Sequence, residues 1–164
     1  MTSAQKPMLW AIPTDKELLA AVGEMALRHE HLSDVLKMTV RSLTGLAVSE
    51  VREATAFDGA AQLRERVKKL ARRRLGECPE LLMLQALLER CRRATEKRND
   101  LVHSLWAQEL DGDYGRLARG QVVALPTTSD VHAISEELMR LGALLNEARF
   151  GGYLSEALAR TSAA

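Results

Sequence analysis

Apolar residues recur along the first third of the chain at spacings that alternate between four and three. They occupy positions 18, 22, 25, 29, 32, 36, 39 and 43, with His29 and Thr39 among the aliphatic side chains. This periodicity places them on one face of a helix over about 14–43. Thr14 and Glu17 form a capping-box pattern at its start, and Gly45 is suited to its end. The pattern predicts one long amphipathic helix that buries this face.

Two more helices are predicted over 59–75 and 79–105. Asp58 is a candidate N-cap of the first, Gly76 is suited to its end, and Pro79 fits the first turn of the second. The apolar stripe of the second comprises Leu81, Leu84, Leu88, Cys91, Thr95, Arg98, Val102 and Leu105. Arg98 is the one charged residue on this stripe.

A last long helix is predicted over 130–149, with Ser129 or Asp130 as its cap and Gly151 after its end. A short helix over 46–56 is a weaker prediction. Between the long helices, the segment 107–128 loses the helical period. Turn residues such as Asp111-Gly112, and the apolar run Gln121–Leu125, favour a loop or small β-hairpin there.

These elements predict a single all-α domain over 1–164, an up-down bundle of four to six helices with a short loop or hairpin insert at 107–128. Residues 1–13 are expected to be an irregular lead-in, because Pro7 and Pro13 do not suit a helix interior. Residues 151–164 are expected to form a C-terminal tail, in which a short helix is possible.

Composition agrees with a folded helical chain, since 46% of residues are hydrophobic and 27% are charged. No apolar run approaches the roughly 18 residues of a membrane span, and the N-terminus lacks the pattern of a signal peptide. We therefore expect a cytoplasmic protein without a membrane partner. Cys78 and Cys91 are expected to be reduced thiols. No metal-ligand spacing or glycine-rich phosphate loop is present, so no cofactor is predicted.

Positive charge is concentrated in residues 64–98, which contain 12 Lys and Arg against 5 Asp and Glu. Such a distribution is typical of a surface that binds a polyanion. Two solvated helix faces would give the same pattern.

Arg98 is anomalous because its place on the apolar stripe turns a charge toward the core. A buried charge costs several kcal/mol, about 3–5, when its partner is missing. Arg98 therefore needs an acidic partner, an exit to solvent or an anionic ligand. Glu30 and Asp34 on the first helix are candidate partners. Arginine also matches phosphate oxygens with its planar fork.

His103 follows Arg98 by five residues, about 140° around an ideal helix. It shares a helix face with Asn99, and Trp106 follows it by three positions. The long side chains of Arg98 and His103 can still meet in a groove at the edge of the stripe.

The stretch Arg98-Asn99-Asp100-Leu101-Val102-His103 resembles the Arg-x4-His motif of HEPN domains, small helical proteins of prokaryotic toxin, defence and ribonuclease systems. The resemblance implies metal-independent RNA cleavage at a site formed by two motif helices in a homodimer. His103 would be the general base or acid, Arg98 would stabilise charge on the phosphate, and Asn99 would orient one of them. HEPN toxins paired with a minimal nucleotidyltransferase antitoxin carry a Tyr two residues after the His, where this chain has Leu105.

Other residues are expected to have supporting roles. Arg92, Arg93 and Lys97 precede the motif by one or two turns and are predicted to bind RNA phosphates. Glu30 or Asp34 would orient Arg98, while Trp106 would either stack on a base or pack against the insert. His29 is interpreted as a hydrogen-bonded histidine of the core or an interface.

The sequence thus favours a metal-independent endoribonuclease of toxin or anti-phage type, with RNA as substrate and a protein antitoxin or defence-system component as a further partner. Two alternatives remain open. One is a non-catalytic module of the same fold that binds RNA, a nucleotide or a protein. The other is an unrelated helical interaction domain in which Arg98 is structural.

Overall fold

The computed structural model describes residues 8–109 and 112–163. Part of the predicted lead-in (1–7), the turn residue Asp111 and the end of the tail (164) lie outside the described residues. The elements, in chain order, are β1 (Met8–Trp10), α1 (Lys16–Thr44), α2 (Val48–Ala54), α3 (Ala60–Leu75), α4 (Pro79–Val102), β2 (Leu105–Glu109), β3 (Tyr114–Ala118), β4 (Gln121–Ala124), α5 (Thr128–Phe150) and α6 (Tyr153–Ala163).

Helix α1 begins one residue later than the capping pattern predicts. The carboxylate of Asp15 accepts hydrogen bonds from the backbone N–H groups of Glu17 and Leu18, both at 3.0 Å. Thr14 is therefore not the N-cap, and the prediction that it forms the capping box was wrong. A carboxylate at this position also interacts favourably with the positive end of the helix dipole. Gly45 ends the helix as predicted, with φ of 74°.

Two other predicted caps are displaced along the chain. Helix α3 is preceded by Gly59, whose N–H donates to Gln62 Oε1 at 2.7 Å, while Asp58 forms an ion pair with Arg66. Helix α5 is capped by Thr127, whose hydroxyl accepts from Asp130 N–H at 3.1 Å. Several polar residues precede each helix, and the loop geometry selects which of them becomes the cap.

The helices form the predicted bundle-like core. Helix α1 packs most extensively against α5 and next against α3, and α4 packs against the same two helices. The stripes predicted for α1, α4 and α5 supply most of the buried residues, including Met25, Leu84 and Leu141. Helix α6 belongs to the bundle as well, because Leu154 and Ala157 are buried. No helix in the described part of the chain combines the length and apolarity needed to span a membrane.

The fold is not purely helical, and the all-α prediction was wrong in this respect. The four strands form one antiparallel sheet in the order β1-β2-β3-β4. The hairpin predicted within 107–128 is its β3–β4 half. The other half is β1, from the predicted irregular lead-in, and β2, which starts at the predicted helix end and continues into the predicted insert. Strand β1 pairs Trp10 with Ala107, and a partner so distant in sequence leaves no local pattern.

Helix α4 consequently ends at Val102 rather than at residue 105. Leu105 belongs to strand β2, where its Cα partner is Leu117. The chain therefore leaves the helix at His103, and the insert begins earlier than predicted.

Candidate functional site

The C-terminal end of α4 is covered by the sheet. Its last turn has no basic residue, so its carbonyl groups need donors from elsewhere. Ser104 Oγ and Trp106 Nε1 both donate to the carbonyl of Leu101, at 2.7 and 3.0 Å. Arg116 Nη1, from the next strand, donates to the carbonyl of Asp100 at 3.1 Å. These bonds hold the helix end, and with it the motif, in a definite place against the sheet.

His103 is the residue at which α4 ends. Its backbone N–H donates to the carbonyl of Asn99 at 2.9 Å, and its side chain is exposed. It lines a cavity of about 260 Å³, which we call the His103 cavity. The lining residues are Asn99, Asp100, His103, Ser104, Arg116, Leu117, Ala118 and Arg119. The histidine therefore faces an open, polar space that also holds two arginines.

Arg98 and Asn99 are joined directly. Arg98 Nη1 donates to Asn99 Oδ1 at 3.0 Å. This bond occupies the amide oxygen of Asn99, so the amide NH₂ group remains as its donor. Asn99 therefore connects Arg98 to the cavity that it shares with His103. Arg98 itself does not line that cavity.

Arg98 is half-buried, and its Nε is buried without a hydrogen-bond acceptor. Within residues 8–109 and 112–163, no carboxylate forms an ion pair with it. Glu30 lies beside His29 instead, 3.6 Å from its Nδ1, and Asp34 is exposed. Neither residue is thus the acidic partner of Arg98 here, which leaves solvent and an anionic ligand as its remaining partners.

His29 lies near Arg98. Burial lowers the pKa of the imidazole below its ordinary value of 6.5, the charge of Arg98 lowers it further, and Glu30 partly opposes both. Both ring nitrogens are buried without hydrogen-bond partners, so the prediction of a hydrogen-bonded core histidine was wrong on this point. Its burial was predicted correctly.

Arg64 of α3 is the third basic residue in this region. Its Nη1 donates to Thr95 Oγ1 at 3.4 Å, and its charge contributes to lowering the pKa of His29. Burial in turn lowers the pKa of the Arg64 guanidinium. Helices α1, α3 and α4 therefore bring together His29, Arg64 and Arg98. Of these three, only Arg98 was predicted from the sequence to belong to a site.

The predicted RNA-binding residues do not share one surface. Arg92 lines a groove beside α3 and is paired with Glu89 and Glu96, while Arg93 also contacts Glu89 at 3.1 Å. These arginines lower the pKa of Glu89 to about 2. Much of the positive charge predicted here is thus balanced locally.

Lys97 is different from both arginines. It is exposed, and no ion pair involves it in the described part of the chain. With Arg93 it lines a groove of about 520 Å³ between α4 and α5, which also contains Asp130 and Glu137. Lys97 is therefore the one of the three predicted residues whose charge remains available to a ligand.

Trp106 is half-buried and packs against the core. Its ring lines an apolar cavity of about 390 Å³ together with Ile12, Pro13 and Val102, separate from the His103 cavity. Because the indole N–H already binds Leu101, only the ring surface is left for a ligand. Trp106 thus packs against the core, whereas packing against the insert and stacking on a base both stay predictions.

Sequence analysis missed Arg116 and Arg119. They precede Gly120 in a stretch that was interpreted only as a possible hairpin. The available signal was the Arg119-Gly120 pair, because a two-residue turn that contains glycine indicates two antiparallel strands on either side of it. Nothing in that pattern shows that its tip reaches the end of α4.

Comparisons with protein-family models, with curated proteins and with solved structures gave no match to this chain. The resemblance to HEPN domains therefore rests on the motif residues in the sequence and stays a prediction. Within the described ranges, no three His, Cys, Asp or Glu side chains are grouped closely enough to hold a metal ion.

Proposed function

We propose that the chain is a HEPN-like endoribonuclease domain in which His103 transfers the proton and Asn99 and Arg98 act on the phosphate. The main support is that His103 and Asn99 open into one cavity at the end of α4, with Arg98 bonded to Asn99. The side chain of His103 is exposed, so a ligand in the cavity can reach its imidazole, a group that can donate or accept a proton.

The reaction we propose is transesterification followed by release of two RNA fragments. The ribose 2′-oxygen forms a bond to the adjacent phosphorus as its proton passes to a base. The bond from phosphorus to the 5′-oxygen breaks, and that oxygen takes a proton from an acid. The products carry a 2′,3′-cyclic phosphate and a 5′-hydroxyl. DNA lacks the 2′-hydroxyl and is not cleaved by this route.

His103 acts as either the base or the acid in this scheme. Asn99 presents its amide N–H groups to a phosphate oxygen, because Arg98 occupies its carbonyl oxygen. Arg98 contributes positive charge through the same contact. In line with the HEPN resemblance, we propose that a homodimer brings two such helix ends together and supplies the second proton-transfer group. The toxin or anti-phage role and the RNA target belong to the same proposal.

One observation favours a second candidate, a non-catalytic module that binds RNA or another phosphate-containing ligand. Arg98 is absent from the lining of the His103 cavity. Among the described side chains that line that cavity, His103 is the only imidazole, and one imidazole cannot be both the base and the acid of the same step. A single chain therefore has the groups to bind a phosphate, while cleavage requires the second copy.

The test uses total RNA in the presence of EDTA, with wild type, His103→Ala and Asn99→Ala. We expect wild type to produce fragments ending in a cyclic phosphate and His103→Ala to lose about 10²–10⁴-fold in rate. The matched control is His132→Ala, an exposed histidine at the start of α5, which should cleave like wild type.

Light scattering on the same preparations should show a dimer. Cleavage that persists in His103→Ala would contradict the assignment of the proton-transfer group. If wild type cleaves no RNA, the binding module becomes the better explanation of the site.

A further inference from the structure

The hairpin that faces His103 has an unusual residue at its tip. Ala118 pairs with Gln121, so Arg119 and Gly120 form a two-residue connection. Their φ angles are 50° and 80°, both positive, as a type I′ turn requires. Within the described residues, Arg119 alone among non-glycine residues has a positive φ.

Asn, Asp or Gly normally occupies such a position, because a larger L-residue is strained there. Strained residues that persist are often found at functional sites, where the side chain has a role. The side chain of Arg119 lines the His103 cavity. A positive charge at the His103 cavity is thus a physical reason for an arginine at this strained turn.

Arg116 approaches the same cavity from the middle of β3. One of its N–H groups covers the carbonyl of Asp100, but its Nε is buried without an acceptor. No carboxylate in the described part of the chain forms an ion pair with Arg116. Capping the helix therefore uses only part of its hydrogen-bonding capacity, and none of its charge is neutralised by an ion pair.

The cavity has one acidic side chain against these two arginines. Arg119 Nη2 lies 3.5 Å from Asp100 Oδ1, with both side chains largely exposed, at 86% and 62%. A pair so open to water is screened and easily exchanged for another anion. The remaining polar lining groups are the imidazole of His103, the amide of Asn99 and the hydroxyl of Ser104. This set of donors suits a phosphate group.

We infer that Arg116 and Arg119 form a phosphate-binding site that positions an RNA backbone phosphate beside His103. The choice of RNA rests on the proposed function, whereas phosphate binding itself does not. The hairpin thereby supplies the positive charge that the last turn of α4 lacks. Arginine is suited to this role because its fork can donate to two phosphate oxygens at once.

The experiment follows the ring resonances of His103 by NMR while inorganic phosphate is added to the full chain. We expect a saturable shift in wild type and a loss of about tenfold or more in affinity for Arg119→Gly. Glycine adopts the turn without strain, so this variant should remain folded. Arg119→Lys retains the charge and should recover part of the affinity. Arg73→Gly, at an exposed arginine of α3, is the control for a lost charge and should bind like wild type.

A 2′-O-methyl RNA, which cannot be cleaved, provides the second measurement. Its affinity should fall in Arg119→Gly, and the slope of log affinity against log salt should decrease by about one. A His103 shift that is absent in wild type, or equal in Arg119→Gly and wild type, would overturn the inference. Phosphate binding without cleavage of any RNA would contradict the proposed function alone. Equal cleavage by wild type and Arg119→Gly would contradict the inference alone.

Discussion

Replacing Arg119 with glycine should stabilise the chain while it weakens the site. A non-glycine residue in the left-handed region costs about 1–2 kcal/mol, and Arg119 has φ of 50°. Glycine removes this cost but loses about 0.5–1 kcal/mol through the greater freedom of the unfolded chain. The ion pair with Asp100 is exposed and contributes little. The free energy of unfolding should therefore rise by up to about 1.5 kcal/mol, and Tm by up to about 6 °C.

Urea unfolding followed by circular dichroism measures this difference. Arg73→Gly provides the matched comparison, because Arg73 is an exposed arginine within a regular helix. The same substitution there should lower stability by about 1 kcal/mol, since glycine is a poor helix former. The two variants should thus move in opposite directions.

Equal destabilisation of both variants would refute the reasoning. It would mean that the backbone at residue 119 is not strained, or that the side chain is needed to form the turn. The argument that strain marks a functional arginine would then lose its basis, even if phosphate binding were observed.

Two further predictions concern other parts of the site. Burial holds the pKa of folded His29 below 6.5, so as the pH falls below about 6.5 the unfolded chain takes up a proton that the folded chain does not. The free energy of unfolding should therefore decrease, by up to about 1.4 kcal/mol per pH unit, until the pH reaches the folded pKa and His29 is protonated in both states. The urea midpoint should fall with decreasing pH in wild type and should fall less in His29→Gln. The same pH dependence in His29→Gln as in wild type would contradict the role of His29. Lys97→Gln should weaken binding of the 2′-O-methyl RNA. Arg92→Gln should change the affinity little, because Glu89 and Glu96 already balance the charge of Arg92. A larger loss of affinity in Arg92→Gln than in Lys97→Gln, measured by fluorescence anisotropy, would contradict this prediction.

Helix faces were predictable because the information is local. The stripe that contains Met25, Leu32 and Leu36 is buried as its spacing predicts, and so is the stripe through Leu84 and Cys91. A residue repeats its position on a helix every three or four places, so the sequence records which side faces the core. Glycines at helix ends, such as Gly45 and Gly76, were recognisable for a similar reason.

The motif was also visible in the sequence, but its surroundings were not. Arg98 and Asn99 are adjacent in the chain and their contact is local. The proximity of His29 depends on how α1 packs beside α4, which no short stretch of sequence encodes. The expectation that Glu30 or Asp34 would neutralise Arg98 likewise depended on packing, and the structure places Glu30 beside His29 instead.

The sequence by itself determined the helices, the faces that they bury and the anomalous charge at Arg98. The tertiary structure alone decided the sheet, because β1 and its partner β2 are far apart in the sequence, with Trp10 paired to Ala107. It also decided that Arg116 and Arg119 face His103, since strand pairing sets the direction of the hairpin. The physical reason is that helical hydrogen bonds join residues four apart, whereas sheet hydrogen bonds join segments that the chain order does not specify.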